Sequence, residues 1–475
     1  MSRVPGPRSP AIVQTLLYLA RPEGYLADCH RRHGDVFKLT TVVFGPEVCV
    51  VRPEEIKRVF TGDPDDLRAG EANVALGPLV GSRSVLLLDG AEHLRQRRLL
   101  TPPFHGERMT AYGRVMREIT ERAIDGWLRA APGREGAGRP PRAPRGARRI
   151  VLHAEMQKIT LEVILRAVFG VEEGERLDEL RAAMLGLLEQ VAKPFSMFAS
   201  LPAFQHDLLG LSPWARFDAA RRCVDAVIYD EIARRRREGA RREDVMSLLL
   251  DARDEDGQPM TDAELRDELM TLLAAGHETT ATELSWTFDV ILRNPRVLHR
   301  LRAEIDGAVD RDRLPYVDAT IKEALRLHPV VPAVARRLKR DTVVAGHRVE
   351  AGTLLVPAVW LTHRQPDLYP DPDEFRPERF LGKKPDPYAF LPFGGGIRRC
   401  IGMAFALFEM RVVLSAILAR VELEPEDRRP ARTVLRGFTH APRGGVPVFV
   451  REREVSRAAV RPAASAAAAT QVPGV

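Results

Sequence analysis

Cysteine is scarce in this chain, with four in 475 residues, at positions 29, 49, 223 and 400. No pair has the spacing of a metal site or a disulfide scaffold, so a reducing cytoplasm is the expected compartment. Long apolar runs are also missing. The most apolar early stretch, 11–20, contains Gln14 and Thr15 and falls well short of the roughly 20 residues a bilayer requires. It reads as a packed amphipathic helix. Neither a signal peptide nor a transmembrane anchor is expected, and membrane contact would be peripheral. Aromatic residues make up only 6%. The densest basic segment, 133–149, interleaves arginine with Gly, Pro and Ala and offers no ring for a base to stack on. It reads as a flexible basic loop, and the net charge of +7 therefore does not signal nucleic acid. The 251–257 segment has Ala252 where an acid should open a calcium loop, and reads as a turn. Nothing inside the chain resembles a boundary between two cores. One domain is expected over 1–453, followed by a disordered Ala-rich tail over 454–475.

What is present is largely helical patterning. Helical spacing dominates 53–327, including a long helix over 261–293 and another over 316–327, and returns at 403–418. Strand-like runs stand at 36–40, 48–51, 342–349, 353–357 and 446–450. The fold class is therefore mainly α with a smaller β-rich lobe.

The loop 393–402 carries the most chemistry. It reads Phe-Gly-Gly-Gly-Ile-Arg-Arg-Cys-Ile-Gly and delivers Cys400 to the mouth of the 403–418 helix. There the helix dipole and the free N–H groups favour a thiolate. The glycines allow the backbone to pass close under a flat macrocycle, and Arg398 suits a buried carboxylate. Read alone, Cys400 is better taken as a small buried hydrophobe, the usual state of a lone cysteine. Glu323 and Arg326, at i, i+3, would alone make a solvated ion pair. Ala275-Gly276-His277-Glu278-Thr279-Thr280 lies inside the long helix, where polar side chains ordinarily face solvent or bond back to the preceding turn. His277 points about 100° away from its helix neighbours and reads as a surface or interhelical histidine. His93 and Arg97, at i, i+4, share one helical face.

Taken together and in this order, these motifs resemble the cytochrome P450 superfamily of haem-thiolate monooxygenases over nearly the whole chain. Its signature Phe-x-x-Gly-x-Arg-x-Cys-x-Gly is met at Phe393, Gly396, Arg398, Cys400 and Gly402. Glu323-Ala-Leu-Arg326 and Pro377-Glu378-Arg379-Phe380 match two further elements of the family.

The resemblance implies haem b, iron protoporphyrin IX, held between the long distal helix and the helix after the cysteine loop. Cys400 would ligate the iron, with Phe393, Gly394, Gly402 and Ala275 against the macrocycle. His93, Arg97, Arg336 and Arg398 would neutralise the propionates. Glu323, Arg326 and Arg379 would form a structural triad that fixes the cysteine loop. Gly276 would bring the distal helix close to the iron, and Glu278 and Thr279 would manage protons. Ala275, Thr280, Val331, Val334, Phe438 and Thr439 would face the substrate, with further walls from 71–85 and 195–204.

The activity implied is hydroxylation or epoxidation of a hydrophobic small molecule with dioxygen. Electrons would come from NAD(P)H through a separate ferredoxin and ferredoxin reductase, or a flavodoxin-type donor, since the chain has no room for a fused reductase. Lys383, Lys384 and Arg399 would help present a positive face to that donor. A fatty acid or terpenoid is favoured, because Pro102-Pro103-Phe104-His105-Gly106-Glu107-Arg108-Met109 resembles a bacterial subgroup associated with them, often in secondary metabolism. A monomer is expected. The rival readings are a haem-thiolate isomerase or dehydratase that does not use dioxygen, and a haem sensor without turnover.

Overall fold

A computed structural model describes residues 2–104, 108–129, 144, 146–170, 174–191, 204–207, 212–239, 244–310 and 313–454. The tail over 455–475, most of the basic loop and most of the wall expected over 195–204 lie outside the described residues.

The elements that matter for function follow in chain order: α1 (Ala11–Ala20), β1 (Val36–Thr41), β2 (Gly45–Val50), α2 (Pro53–Thr61), β3 (Leu67–Arg68), α3 (Gly90–Leu100), α4 (Arg108–Arg129), α5 (Leu152–Phe169), α6 (Asp262–Leu292), α7 (Pro315–Leu327), β4 (Arg336–Leu338), β5 (Leu354–Pro357), α8 (Met403–Arg420), β6 (Thr433–Arg436) and β7 (Thr439–Pro442). Helices make the larger lobe. The smaller lobe centres on a five-stranded sheet ordered β1-β2-β5-β4-β3. Its β2–β5 pair is parallel, with Glu47 opposite Leu354, and the other pairs are antiparallel.

The long helix α6 starts at a capping box in which Thr261 and Glu264 satisfy each other's backbone N–H groups. It then runs through the main core, buried on nearly every side. It packs on α5, and a Cβ added to Gly276 would come within 3.0 Å of Ile164 Cδ1. The glycine therefore serves close packing of α6 on α5, which supplies a reason for it besides approach to a cofactor.

The sequence suggested one strand-like run over 342–349. The structure folds it into a hairpin, Thr342–Val344 against His347–Val349, because Ala345 and Gly346 take positive φ values of 46° and 82°.

The expectation for 11–20 needs a larger correction. The segment is a helix, but it packs by its polar side chains. Gln14 Oε1 accepts the Thr40 amide at 3.0 Å and Thr15 Oγ1 accepts the Val42 amide at 3.0 Å, so both are buried against the edge of β1. Ile12, Val13, Leu16 and Leu17 are consequently turned outward and exposed. The two edge amides, each of which would cost about 1–3 kcal/mol if buried unpaired, are satisfied in this way. Among the described residues, no helix is long and apolar enough to cross a membrane.

Candidate functional site

The cysteine loop is shaped by contact with α2. A Cβ on Gly395 would approach Phe60 Cδ2 to 2.3 Å, and one on Gly396, at φ +62°, would meet the Phe60 carbonyl oxygen at 2.2 Å. Only glycine lets the loop pass there. The Cys400 amide donates to Phe393 O at 3.0 Å, closing the loop just before α8 begins. Cys400 is accessible. Its surroundings nevertheless remove much of its hydration, which pushes the thiol above its ordinary value. The Gly402 N–H and the charges of Arg97 and Arg399 pull the other way. Desolvation thus prevails over the helix-end effect argued from the sequence.

Four basic groups converge beside this loop. His93 and Arg97 come from α3, Arg336 from β4 and Arg398 from the loop itself. Burial first, then the charges of Arg398 and Arg97, push His93 down to about 4. Its Nδ1 has no hydrogen-bond partner among the described residues. Arg336 is buried, reaches Ala335 O at 2.9 Å and is pushed down to about 10 by burial and by Arg398. Arg97 donates to Arg399 O at 2.7 Å, tying α3 to the cysteine loop. Arg398 has partners already. It donates to Val85 O at 2.9 Å, to Leu88 O and to Asp89 Oδ1 at 2.6 Å. Asp89 was missed in the sequence. It precedes α3 as an N-cap residue should, but its carboxylate accepts the amides of Ala69, Gly70 and Glu71 instead of capping the helix.

A cluster of this kind fits a dianionic cofactor. Three arginine charges, of which Arg398 is already paired with Asp89, stand with an unpartnered histidine nitrogen, and further anions would offset the remaining charge. The cation-rich side adjoins the accessible thiol, since Arg97 is close enough to influence both Cys400 and His93. Haem propionates and haem iron have that combination of needs.

On the distal helix, Ala275 is exposed, Glu278 and Thr279 are half-buried, and Thr280 is buried at 4% exposed. Thr280 is turned about 100° from Thr279 and sits in the packing. Within this run His277 and Thr280, the latter an expected substrate contact, are the buried positions. His277 is interhelical and not a surface group, with Thr160 Oγ1 3.0 Å from its Nδ1. Thr279 Oγ1 donates to Ala275 O at 2.6 Å.

The Glu278 carboxylate is gripped from two sides. Gln157 Nε2 donates to Oε2 at 2.6 Å, and Arg436 Nε lies 3.1 Å from Oε1, with His153 Nε2 at 3.6 Å. Burial alone would raise this acid. The nearby His153 and the charge of Arg436 more than offset it and hold Glu278 below the ordinary carboxylate value. Gln157, His153 and Arg436 carry no motif that could have announced them.

The Glu323–Arg326 pair is fully buried, 0% exposed on both sides, and bidentate, at 2.7 and 2.8 Å. Arg379 Nε joins Glu323 at 3.1 Å. Arg326 also donates to His363 O, Pro372 O and Glu374 O. The solvated-pair alternative does not hold. His363, also missed in the sequence, accepts the Leu391 amide at 2.8 Å and so links this network to the start of the cysteine loop.

Of the other expected substrate contacts, Val331, Val334 and Phe438 are half-buried and Thr439 is buried. Thr439 Oγ1 donates to Arg436 O at 2.9 Å.

A thiol delivered by a glycine loop to the start of a helix, with arginines beside it, is the arrangement of a haem-thiolate protein. The comparisons agree. The cytochrome P450 family model matches residues 4–446. The cytochrome P450 135B1 of Mycobacterium tuberculosis is 41% identical over 461 residues, covering 96% of this chain and 93% of the relative. The cytochrome P450 135A1 of the same species is 36% identical over 446 residues, covering 93% of each. Among solved structures, the retinoic acid-bound cyanobacterial CYP120A1 superposes with a TM-score of 0.80 at 24% identity, covering 95% of this chain and 100% of that one. This chain belongs to the cytochrome P450 family.

Proposed function

We propose that this protein is a monooxygenase that places one atom of dioxygen into a C–H or C=C bond of a hydrophobic small molecule and releases the other as water. Two electrons from NAD(P)H and two protons balance the reaction. Haem b, ligated by Cys400 and held through His93, Arg97, Arg336 and Arg398, supplies the oxygen-activating iron. The single observation that carries the reading is the pair Glu278 and Thr279. A half-buried carboxylate and a hydroxyl stand within one turn of the exposed Ala275, as proton delivery to dioxygen requires. An isomerase or dehydratase that does not use dioxygen has no need of that pair, and a sensor has no need of proton traffic.

A fatty acid or terpenoid is the favoured substrate class, since Val331, Val334 and Phe438 offer apolar contact and few polar groups. A ferredoxin with its reductase, or a flavodoxin-type donor, is the proposed electron source. The protein is taken to act in the cytoplasm as a monomer, with 1–453 as one catalytic domain.

The test is spectroscopic first. The reduced protein exposed to carbon monoxide should show the red-shifted band of thiolate ligation, absent in Cys400→Ala. Turnover with a surrogate ferredoxin and reductase under labelled dioxygen should then place label in the product. Product formed without label would favour the isomerase, and a ligand-responsive spectrum without turnover would favour the sensor.

A further inference from the structure

The turn at Gly437 and Phe438 links β6 to β7 and is held at both ends. Arg436 pairs with Thr439 across it, Gly437 takes φ +57°, and the Thr439 hydroxyl donates to the Arg436 carbonyl. Next along, the His440 amide donates to Val330 O at 2.9 Å and the His440 carbonyl accepts Trp286 Nε1 at 2.9 Å. Trp286 belongs to α6, the helix that also carries Glu278. The turn is thus strapped along the distal helix, with Phe438 at its tip.

From this strapped turn the Arg436 guanidinium reaches Glu278 Oε1 at 3.1 Å. The remaining groups around that carboxylate are His153 and Gln157 from α5 and Thr282 from α6 itself. His277 points instead to Thr160. Among the described residues that face Glu278, Arg436 is the one that leads directly into the turn expected to touch substrate. At 34% exposed, it also stands partly in solvent.

We propose that Arg436 is a positioning residue that couples occupation of the Phe438 turn to the protonation of Glu278. A molecule pressing on Phe438 moves the turn and draws the guanidinium off the carboxylate. Glu278 then takes a proton from solvent and passes it to water beside Thr279, while Arg436 keeps its charge throughout. With the turn at rest, the acid stays ionised and idle, which would limit wasteful oxygen reduction before substrate arrives. The inference rests on the relay reading of Glu278 given above.

The test is an infrared titration of the haem-loaded protein, with the Glu278 carboxyl band assigned by its loss in Glu278→Gln. Arg436→Gln should raise the proton affinity of Glu278 by about tenfold, the usual size of effect for losing an adjacent opposite charge. Trp286→Phe keeps an aromatic ring but cuts the strap to His440, and should move the titration in the same direction by less. Thr439→Val, which removes the hydroxyl bond across the turn, provides a second loosened variant if Trp286→Phe does not fold.

A shift in Arg436→Gln with none in either loosened variant would overturn the coupling, because the charge would then act without the turn. No shift in any variant would overturn it as well. Failure of the relay itself is read separately, as unchanged oxygen incorporation in Glu278→Gln whatever the titrations show.

Discussion

The carbonyl oxygen of Arg326 lies 3.1 Å from Nδ1 of His363. The other ring nitrogen, Nε2, accepts the Leu391 amide at 2.8 Å. Only the neutral ring protonated at Nδ1 can serve both partners, because Nε2 must offer a lone pair. One imidazole therefore carries the order of the buried triad into the segment that leads to Cys400.

Burial, then the charge of Arg326, pushes His363 down to about 3, and burial pushes His328 to about 3 and His277 and His440 to about 4. The sign follows from these values. The folded state refuses a proton that the unfolded chain accepts near 6.5, so stability is full above that pH and is lost as pH falls from about 6.5 towards 3. Each such group contributes up to about 1.4 kcal/mol per pH unit in that window. Denaturant midpoints measured from pH 8 to 4 should fall on the acid side. In His363→Phe the fall should be shallower by one group. That variant should also lose about 1–3 kcal/mol for each backbone group left unpaired. An unaltered acid slope would remove His363 from the account.

Arg326 makes a second prediction. Its guanidinium serves both oxygens of Glu323 and three carbonyls, with no exposure to solvent. Arg326→Ala takes the bidentate partner from the buried Glu323 carboxylate and leaves it Arg379 and the Arg376 amide, at a cost of about 3–5 kcal/mol, a large part of the usual stability of a domain. Arg326→Lys should fare little better, since three donors on one nitrogen cannot span that fork. Both should yield protein without haem absorption, whereas Arg300→Gln, which loosens an exposed pair with Glu378, should load normally. Haem-to-protein absorbance ratios decide it.

The residues just discussed show what was legible in the sequence and what was not. Helix periodicity gave α6, α7 and α8 nearly to the residue, because their start signals are local. Thr261 with Glu264 and Pro315 at a first turn are examples. Cys400 and the Glu323–Arg326 pair stood in recognisable motifs. Asp89, His153, Gln157, His363 and Arg436 did not, since their roles arise from partners far away in the chain, such as Arg398 for Asp89 and Glu278 for Arg436. The orientation of α1 failed for the same reason. Its apolar residues promised an inward face, whereas Gln14 and Thr15 face inward and accept the amides of Thr40 and Val42.

Asp89 leads to a third prediction. Its carboxylate fixes three consecutive amides, from Ala69 to Glu71, and one of the expected propionate arginines. Asp89→Asn should weaken all four contacts by removing the charge and reorganising the acceptors. Hydrogen exchange at 69–71 should quicken by at least about tenfold, the equivalent of 1.4 kcal/mol, while exchange in α6 stays slow. If 69–71 exchanged at the original rate, the anchoring role would be wrong.

Thr279 supplies the last test. Its hydroxyl proton is directed to Ala275 O at 2.6 Å, so the oxygen presents lone pairs to whatever stands beside the helix. In that state Thr279 can hold a water by accepting from it, and the water can then donate onward. Thr279→Ser keeps the oxygen and should keep product formation coupled to NADPH consumption. Thr279→Ala and Thr279→Val both remove it, one leaving space and the other filling it. If the oxygen matters, both should release hydrogen peroxide in place of product, with coupling reduced by about tenfold or more. Loss in Thr279→Ala alone would point to shape, and retained coupling in both would end the role assigned to the hydroxyl.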